Sequence, residues 1–167
     1  SHFDFDHISG LKDFPQATAH TFKSEYMFSS DSNNRWSEKN RFLKELWQDH
    51  QHWNLLKLPQ KRYQNLRVSP FPGEEDILLA LLPGHTPYQL GIIIPKFKML
   101  FAADSYLHHS QIDHYPYAAI PIKIYQKMTT IDQQSYQTTL KRLSNLKKRG
   151  HHVFCAHDSS EFSTINE

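Results

Sequence analysis

The chain is poor in cysteine. Cys155 is its single thiol, which excludes an intrachain disulfide and fits a reducing compartment. We read it as a buried structural residue. Charge of one sign is lacking too. The 19 Lys and Arg against 17 Asp and Glu leave a formal net charge of +2, so no one-sided field points to nucleic acid or an anionic membrane. Long hydrophobic runs are also missing. The longest, 77–82 and 90–95, fall far short of the roughly twenty residues that span a bilayer and read as strands. At 167 residues the chain is long enough for one domain with a real core, and it reads as a single domain over 1–167.

Histidine is what the sequence has in excess. There are twelve, and they are not gathered into a tag or a low-complexity tract. Around them the chain predicts a short helix over 8–14, a strand over 17–22, helical turns over 23–29 and a polar loop over 29–34. Over 35–50 the residues Trp36, Phe42, Leu43, Leu46 and Trp47 recur near helical spacing and predict one amphipathic helix. The middle is strand-rich, with short apolar or β-branched runs at 66–70, 77–82, 90–94 and 99–102 set off by Gly, Pro or charged residues. Thr130-Ile131-Asp132-Gln133 has capping-box spacing. Tyr136, Leu140, Leu143 and Leu146 then share one helical face until Gly150. A buried strand over 153–156 delivers His157 and Asp158 at its end.

Four features carry chemistry: His2-x-Asp4-x-Asp6-His7, Gly84-His85-Thr86-Pro87, Asp104 after Leu100-Phe101-Ala102-Ala103, and His157-Asp158. Imidazole nitrogen and carboxylate oxygen together suit zinc, iron or manganese, and a carboxylate can bridge two ions. Two ions roughly 3.5–4 Å apart can activate a shared water at neutral pH while polarising the bond under attack. The pattern points to hydrolysis.

These motifs, in this order, resemble the metallo-β-lactamase superfamily, whose signature is His-x-His-x-Asp-His followed by three separated ligands. Within it the chain is most similar to the N-acyl homoserine lactonases, through residues 1–10, Leu82-Pro83-Gly84-His85-Thr86-Pro87, 100–106, and His157-Asp158 followed by Glu161-Phe162. The resemblance implies an αββα sandwich. It places His2, Asp4 and His85 on a first metal and Asp6, His7 and His157 on a second, with Asp104 bridging both. Asp6 would also orient the attacking hydroxide. Tyr106, two residues past Asp104 where the lactonases have a tyrosine at three, would hold the substrate carbonyl. A helical insert at about 23–60 would build the pocket wall, with Phe22, Tyr26, Phe28, Trp36, Phe42, Trp47 and Trp53 facing either an acyl chain or the core.

The sequence departs from the family pattern in three places. Asp4 stands where His is usual, so three carboxylates rather than two face two divalent ions. That raises the pKa of a bound water and tilts the first site from zinc toward manganese or iron. Tyr88 follows the Gly84 motif where glycine is usual and would line or narrow the pocket. The family's strands before its first histidine motif are absent, so the chain reads as about the C-terminal two thirds of the domain, the rest coming from upstream residues or another chain.

The expected function is hydrolysis of an ester-like bond, a lactone by preference, through a metal-bridging hydroxide. The expected cofactors are two divalent metal ions, zinc first and manganese or iron on account of Asp4. The alternatives from other classes are a phosphodiester or thioester hydrolase of the same fold, and a non-catalytic member acting as a binding module. The expected partner is a small ester or lactone, without nucleic acid or membrane; a homodimer is allowed by the reading. The location is read as cytoplasmic, with secretion left open by the missing start. His20, His50, His52, His108, His109, His114, His151 and His152 are read as structural, with His151 and His152 as positive caps at a helix end. Lys141, Arg142, Lys147, Lys148 and Arg149 are read as a solvated helix face.

Overall fold

The computed structural model describes residues 1–33, 36–115 and 120–163. The side chains of Trp36 and Phe162, and the loop end at Asn34, lie outside the described residues. The chain divides into two compact units, Ser1–Leu58 and Pro59–Glu167. Where the sequence reads as one domain with an insert at about 23–60, the division falls beside the expected end of that insert.

The first unit starts with α1 (Phe5–Ile8), followed by a 3-10 turn. Strand β1 (Ala19–Phe22) pairs in parallel with β2 (Trp53–Leu56), Ala19 opposite Trp53 and Phe22 opposite Leu56. Parallel strands need a crossover, supplied here by α2 (Lys23–Ser30) and α3 (Trp36–Arg41). The single helix expected over 35–50 is broken: α3 ends at Arg41 and a separate 3-10 turn covers Lys44–Leu46. Phe42 and Trp47 are both 3% exposed. On one continuous helix, five residues would turn them about 140° apart. The break lets Phe42 pack on Phe28 while Trp47 packs on Phe3, Tyr26 and Trp53. Burial of Phe22, Phe42 and Trp47 favours the core reading of these aromatics.

The second unit is built on a sheet whose order among the described residues is β3 (Lys61–Tyr63), β4 (Leu66–Phe71), β5 (Glu74–Leu81), β6 (Leu90–Ile94), β7 (Met99–Phe101) and β8 (His152–Phe154). Each neighbour runs antiparallel except β7 and β8, which are parallel. Between them come α4 (Ser110–Asp113), α5 (Ile120–Thr129) and α6 (Gln133–Lys148), and α7 (Ser160–Ser163) follows β8. Helix α6 lays Tyr136, Leu140, Leu143 and Leu146 against Leu66, Val68, Ala80, Ile93, Leu100 and Val153 in the core of this unit. The sequence reading missed β2, β3, α4, α5 and α7.

Two details of α6 differ from expectation. Its N-cap is Asp132, whose carboxylate accepts from the Ser135 N–H at 3.0 Å. Thr130 instead closes the helix before it, donating its main-chain N–H to Gln126. At the other end, His151 is not a positive cap. It is buried beside the Tyr63 hydroxyl at 3.0 Å, and burial holds its pKa below the usual histidine range, so the ring favours the neutral form. The main-chain N–H of His151 does the capping by donating to Leu146. Lys147, read as solvated, pairs with Asp113 at 2.7 Å. Cys155 is buried as expected, and burial pushes its thiol up to about 12.

Candidate functional site

In the second unit, sheet register brings two of the expected ligands together. Phe101 of β7 is paired with Phe154 of β8. Because these strands are parallel, their C-terminal ends leave the sheet at the same edge, and Asp104 and His157 each lie three residues beyond the paired position. The turns are fixed by main-chain bonds from Ala102 to Phe154 and from Ala156 to Ala103, at 2.7 and 3.0 Å. The buried Gln89 amide adds a brace, donating to the Ala102 carbonyl and the Ser105 hydroxyl. His157 Nε2 lies 3.1 Å from Asp104 Oδ2.

His85 reaches the same carboxylate from the loop between β5 and β6, its Nε2 3.7 Å from Asp104 Oδ2. Gly84 makes this loop possible. Its φ is +146°, and an added Cβ would sit 2.5 Å from the Tyr136 Cα, so the first turn of α6 rests directly on the glycine. The carbonyls of Gly84 and His85 accept from Asp132 and Ile131, and the Thr139 hydroxyl donates to Pro83 at 2.7 Å. His85 and Asp104 are each 4% exposed, whereas the His157 side chain is 41% exposed. Tyr88, expected to line or narrow a pocket, is half-buried in this loop.

In the first unit the segment leading into α1, together with α1 itself, carries its own cluster. Phe3, 1% exposed, is wedged among Tyr26, Trp47 and Trp53. Extended backbone sends alternate side chains to opposite sides, so anchoring Phe3 leaves His2 and Asp4 together, with His2 Nε2 3.4 Å from Asp4 Oδ2. The rings of His2 and His7 are 4.2 Å apart, and Asp6 Oδ2 is 3.9 Å from His7 Nε2. Asp4 also has a partner that the sequence did not reveal. Arg41 grips it with two bonds, Nε to Oδ1 at 2.9 Å and Nη2 to Oδ2 at 2.7 Å. The two residues are 37 positions apart, and no spacing rule links them.

These separations suit metal ligation. Donor atoms at 2.0–2.2 Å from a tetrahedral ion lie about 3.3–3.6 Å from one another. The His2–Asp4, His85–Asp104 and His157–Asp104 pairs, at 3.4, 3.7 and 3.1 Å, cluster around that value.

Tyr106 is fully buried, and its hydroxyl donates to both oxygens of Glu161 at 2.9 and 3.0 Å. Burial and the Glu161 charge raise its pKa far above the tyrosine range. Glu161 also accepts from the Cys155 N–H at 2.9 Å, and burial lifts its own pKa.

His108, His109 and Asp158, which the sequence did not group, also place ligand atoms within 4.8 Å of one another. Both Asp158 oxygens are already committed, to the His109 N–H and ring nitrogen and to the Ser160 N–H and hydroxyl. Burial opposes its charge, yet these donors outweigh it and hold the carboxyl far below its usual range. This group fastens the segment after Asp104 to the segment after His157.

No protein-family model matches the sequence, and no curated protein matches it. Solved structures do match in shape. An N-acyl homoserine lactone hydrolase with the product N-hexanoyl-L-homoserine at its catalytic metal centre superposes with a TM-score of 0.65 and 18% identity, over 98% of this chain and 56% of that one. A hydrolase of the β-lactamase superfamily, AbOPH, gives 0.64 and 22%, over 96% and 56%. AidC, a dizinc quorum-quenching lactonase in complex with a product, gives 0.55 and 17%, over 87% and 49%. The chain spans about half the length of the structures it matches. Among the described residues no helix is long and apolar enough to cross a membrane. Over the stretch it shares with these structures, the chain has the metallo-β-lactamase fold.

Proposed function

We propose that the chain carries the metal-binding residues of a binuclear metal-dependent hydrolase acting on an ester-like bond, with a lactone as the preferred substrate. The observation that carries this reading is the Asp104 carboxylate, whose Oδ2 has the Nε2 atoms of both His85 and His157 within 3.7 Å. A buried carboxylate flanked by two imidazoles is suited to bridging a pair of cations. In the proposed assignment His2, Asp4 and His85 serve one ion, Asp6, His7 and His157 the other, and Asp104 both. The fit of donor separations to tetrahedral ligation supports it, as do structural neighbours described as a dizinc lactonase and as a hydrolase with product at a catalytic metal centre. Zinc is the first choice.

When bound, two such ions supply Lewis acidity and lower the pKa of water toward neutrality. The chain's part is to hold and orient. Asp6 is half-exposed, so it can align a water and accept its proton. The turn that carries Asp104 is braced by Gln89 and β8, which fixes the backbone from which its carboxylate projects. In this reading Tyr106 has a structural part, because its hydroxyl is buried against the Glu161 carboxylate.

The test is metal content per chain by elemental analysis after purification without chelators, for the wild type and His7→Ala, followed by turnover on N-acyl homoserine lactones, phosphodiesters and thioesters. Near two transition-metal ions per chain, fewer in the variant, with lactone turnover, is expected. Two ions with turnover only on a phosphodiester or thioester would move the substrate. No metal and no turnover would overturn the hydrolase reading in favour of a binding module.

A further inference from the structure

The usual family pattern has a neutral imidazole where this chain has Asp4, and counting carboxylates alone leaves the site one negative charge too many. Arg41 changes that count. Guanidinium is charged at every accessible pH, and it meets Asp4 through the planar two-bond geometry that is the strongest form of this contact. The pair is well shielded, with side chains 21% and 12% exposed, so solvent does little to screen it. Arg41 is the last residue of α3, and its guanidinium carbon lies 5.5 Å from the ring of Phe42, which is itself packed on Phe28. The fork is therefore held in place from behind rather than swinging freely.

A carboxylate offers about four lone-pair directions. Arg41 takes one on each oxygen, and Oδ2 also faces His2, at the 3.4 Å that suits two ligands of one ion. We infer that Asp4 and Arg41 work as one unit: Asp4 replaces the family's imidazole as a metal ligand, and Arg41 is a positioning residue that fixes the carboxylate and cancels its charge. The couple presents to the cation the net charge of a neutral histidine. The expected rise in the pKa of bound water, and the drift away from zinc, are thereby offset. This inference rests on the hydrolase reading, because it needs a metal beside His2.

The two residues must then be exchanged together. The experiment is Zn²⁺ titration against a competing chromophoric chelator, with circular dichroism and melting of each metal-free chain. It compares wild type, Arg41→Met, Asp4→His and the double variant with both changes. Removing a residue that orients a ligand costs roughly 10–100-fold in metal affinity. Arg41→Met is expected to lose at least about tenfold at one of two sites. Asp4→His alone is expected to lose as much, because it removes the carboxylate that offsets the Arg41 charge beside the cation. The double variant is expected to return to within a few-fold of wild type.

If the losses of the two single variants simply multiply in the double variant, or if neither single variant loses affinity, the inference is wrong while the metal centre stands. If the wild type takes up no Zn²⁺, the hydrolase reading falls first. Arg41→Lys, which keeps the charge but not the fork, is expected to retain only part of the affinity. Where Arg41→Met does not fold, binding by the double variant decides the matter.

Discussion

The candidate ligand clusters of the two units are held by different means. In the second unit, His85, Asp104 and His157 stand on turns that leave strands directly, and main-chain bonds, the Gln89 amide and the first turn of α6 fix every one of those turns. In the first unit His2 and Asp4 precede α1 while Asp6 and His7 lie within it, and the N-cap Asp4 makes no side-chain capping bond to this four-residue helix. The stretch leading into α1 is fastened by side chains, Phe3 in its aromatic socket and Asp4 in the Arg41 fork. Backbone bonding tolerates many side chains but few changes of length. Side-chain anchoring tolerates neither loss of the plug nor loss of the fork.

The largest effects come from removing the anchor on each side. Phe3→Ala empties a buried aromatic site and is expected to cost about 3–5 kcal/mol. Gly84→Ala sets a Cβ against the backbone of Tyr136 at a φ unsuited to alanine, at an expected cost of roughly 2–3 kcal/mol. Denaturant melts of the metal-free chains measure both. If Phe3→Ala proves the milder change, the contrast between the two anchoring modes is wrong.

A smaller effect separates two roles for Tyr106. Tyr106→Phe removes a buried hydrogen bond to Glu161, worth about 1–3 kcal/mol in stability, and is expected to leave metal content and kcat unchanged. A fall in kcat at unchanged Tm would place the hydroxyl on the substrate instead.

The smallest effect concerns pH. The folded-state pKa of His151 lies below the ordinary value near 6.5, so as pH falls through that value the unfolded chain takes up a proton that the folded chain resists. The contribution of His151 to stability is therefore present above about 6.5 and is lost on acidification below it. His151→Gln is expected to flatten this decline in melts between neutral pH and about pH 5, and an unchanged slope would mean that the ring is not held neutral.

Strands and their end residues were legible because apolar runs bounded by Gly, Pro or charge specify them locally, as at β6 and β7. The candidate ligand motifs could be picked out as well, because their chemistry resides in residue types. What escaped depends on distant partners. The break after Arg41 follows from where Phe42 and Trp47 find room, and Asp132 displaces Thr130 as a cap only because α5 ends at Thr129. Arg41 itself resembles any surface arginine until Asp4 is placed beside it. The two-unit division left no composition shift at the Leu58 to Pro59 junction.

The parallel pairing of β7 with β8 has a consequence for how this chain can change over time. Asp104 and His157 meet because two turns of equal length leave two strands in register. Adding or deleting one residue in either turn displaces one of these two side chains by about 3 Å, more than a metal–ligand bond length. The spacing along 102–103 and 155–156 is therefore a constraint separate from the burial that holds Ala102 and Cys155 in the core. The feature to follow in a variant library of this chain is spacing, which point mutation never samples.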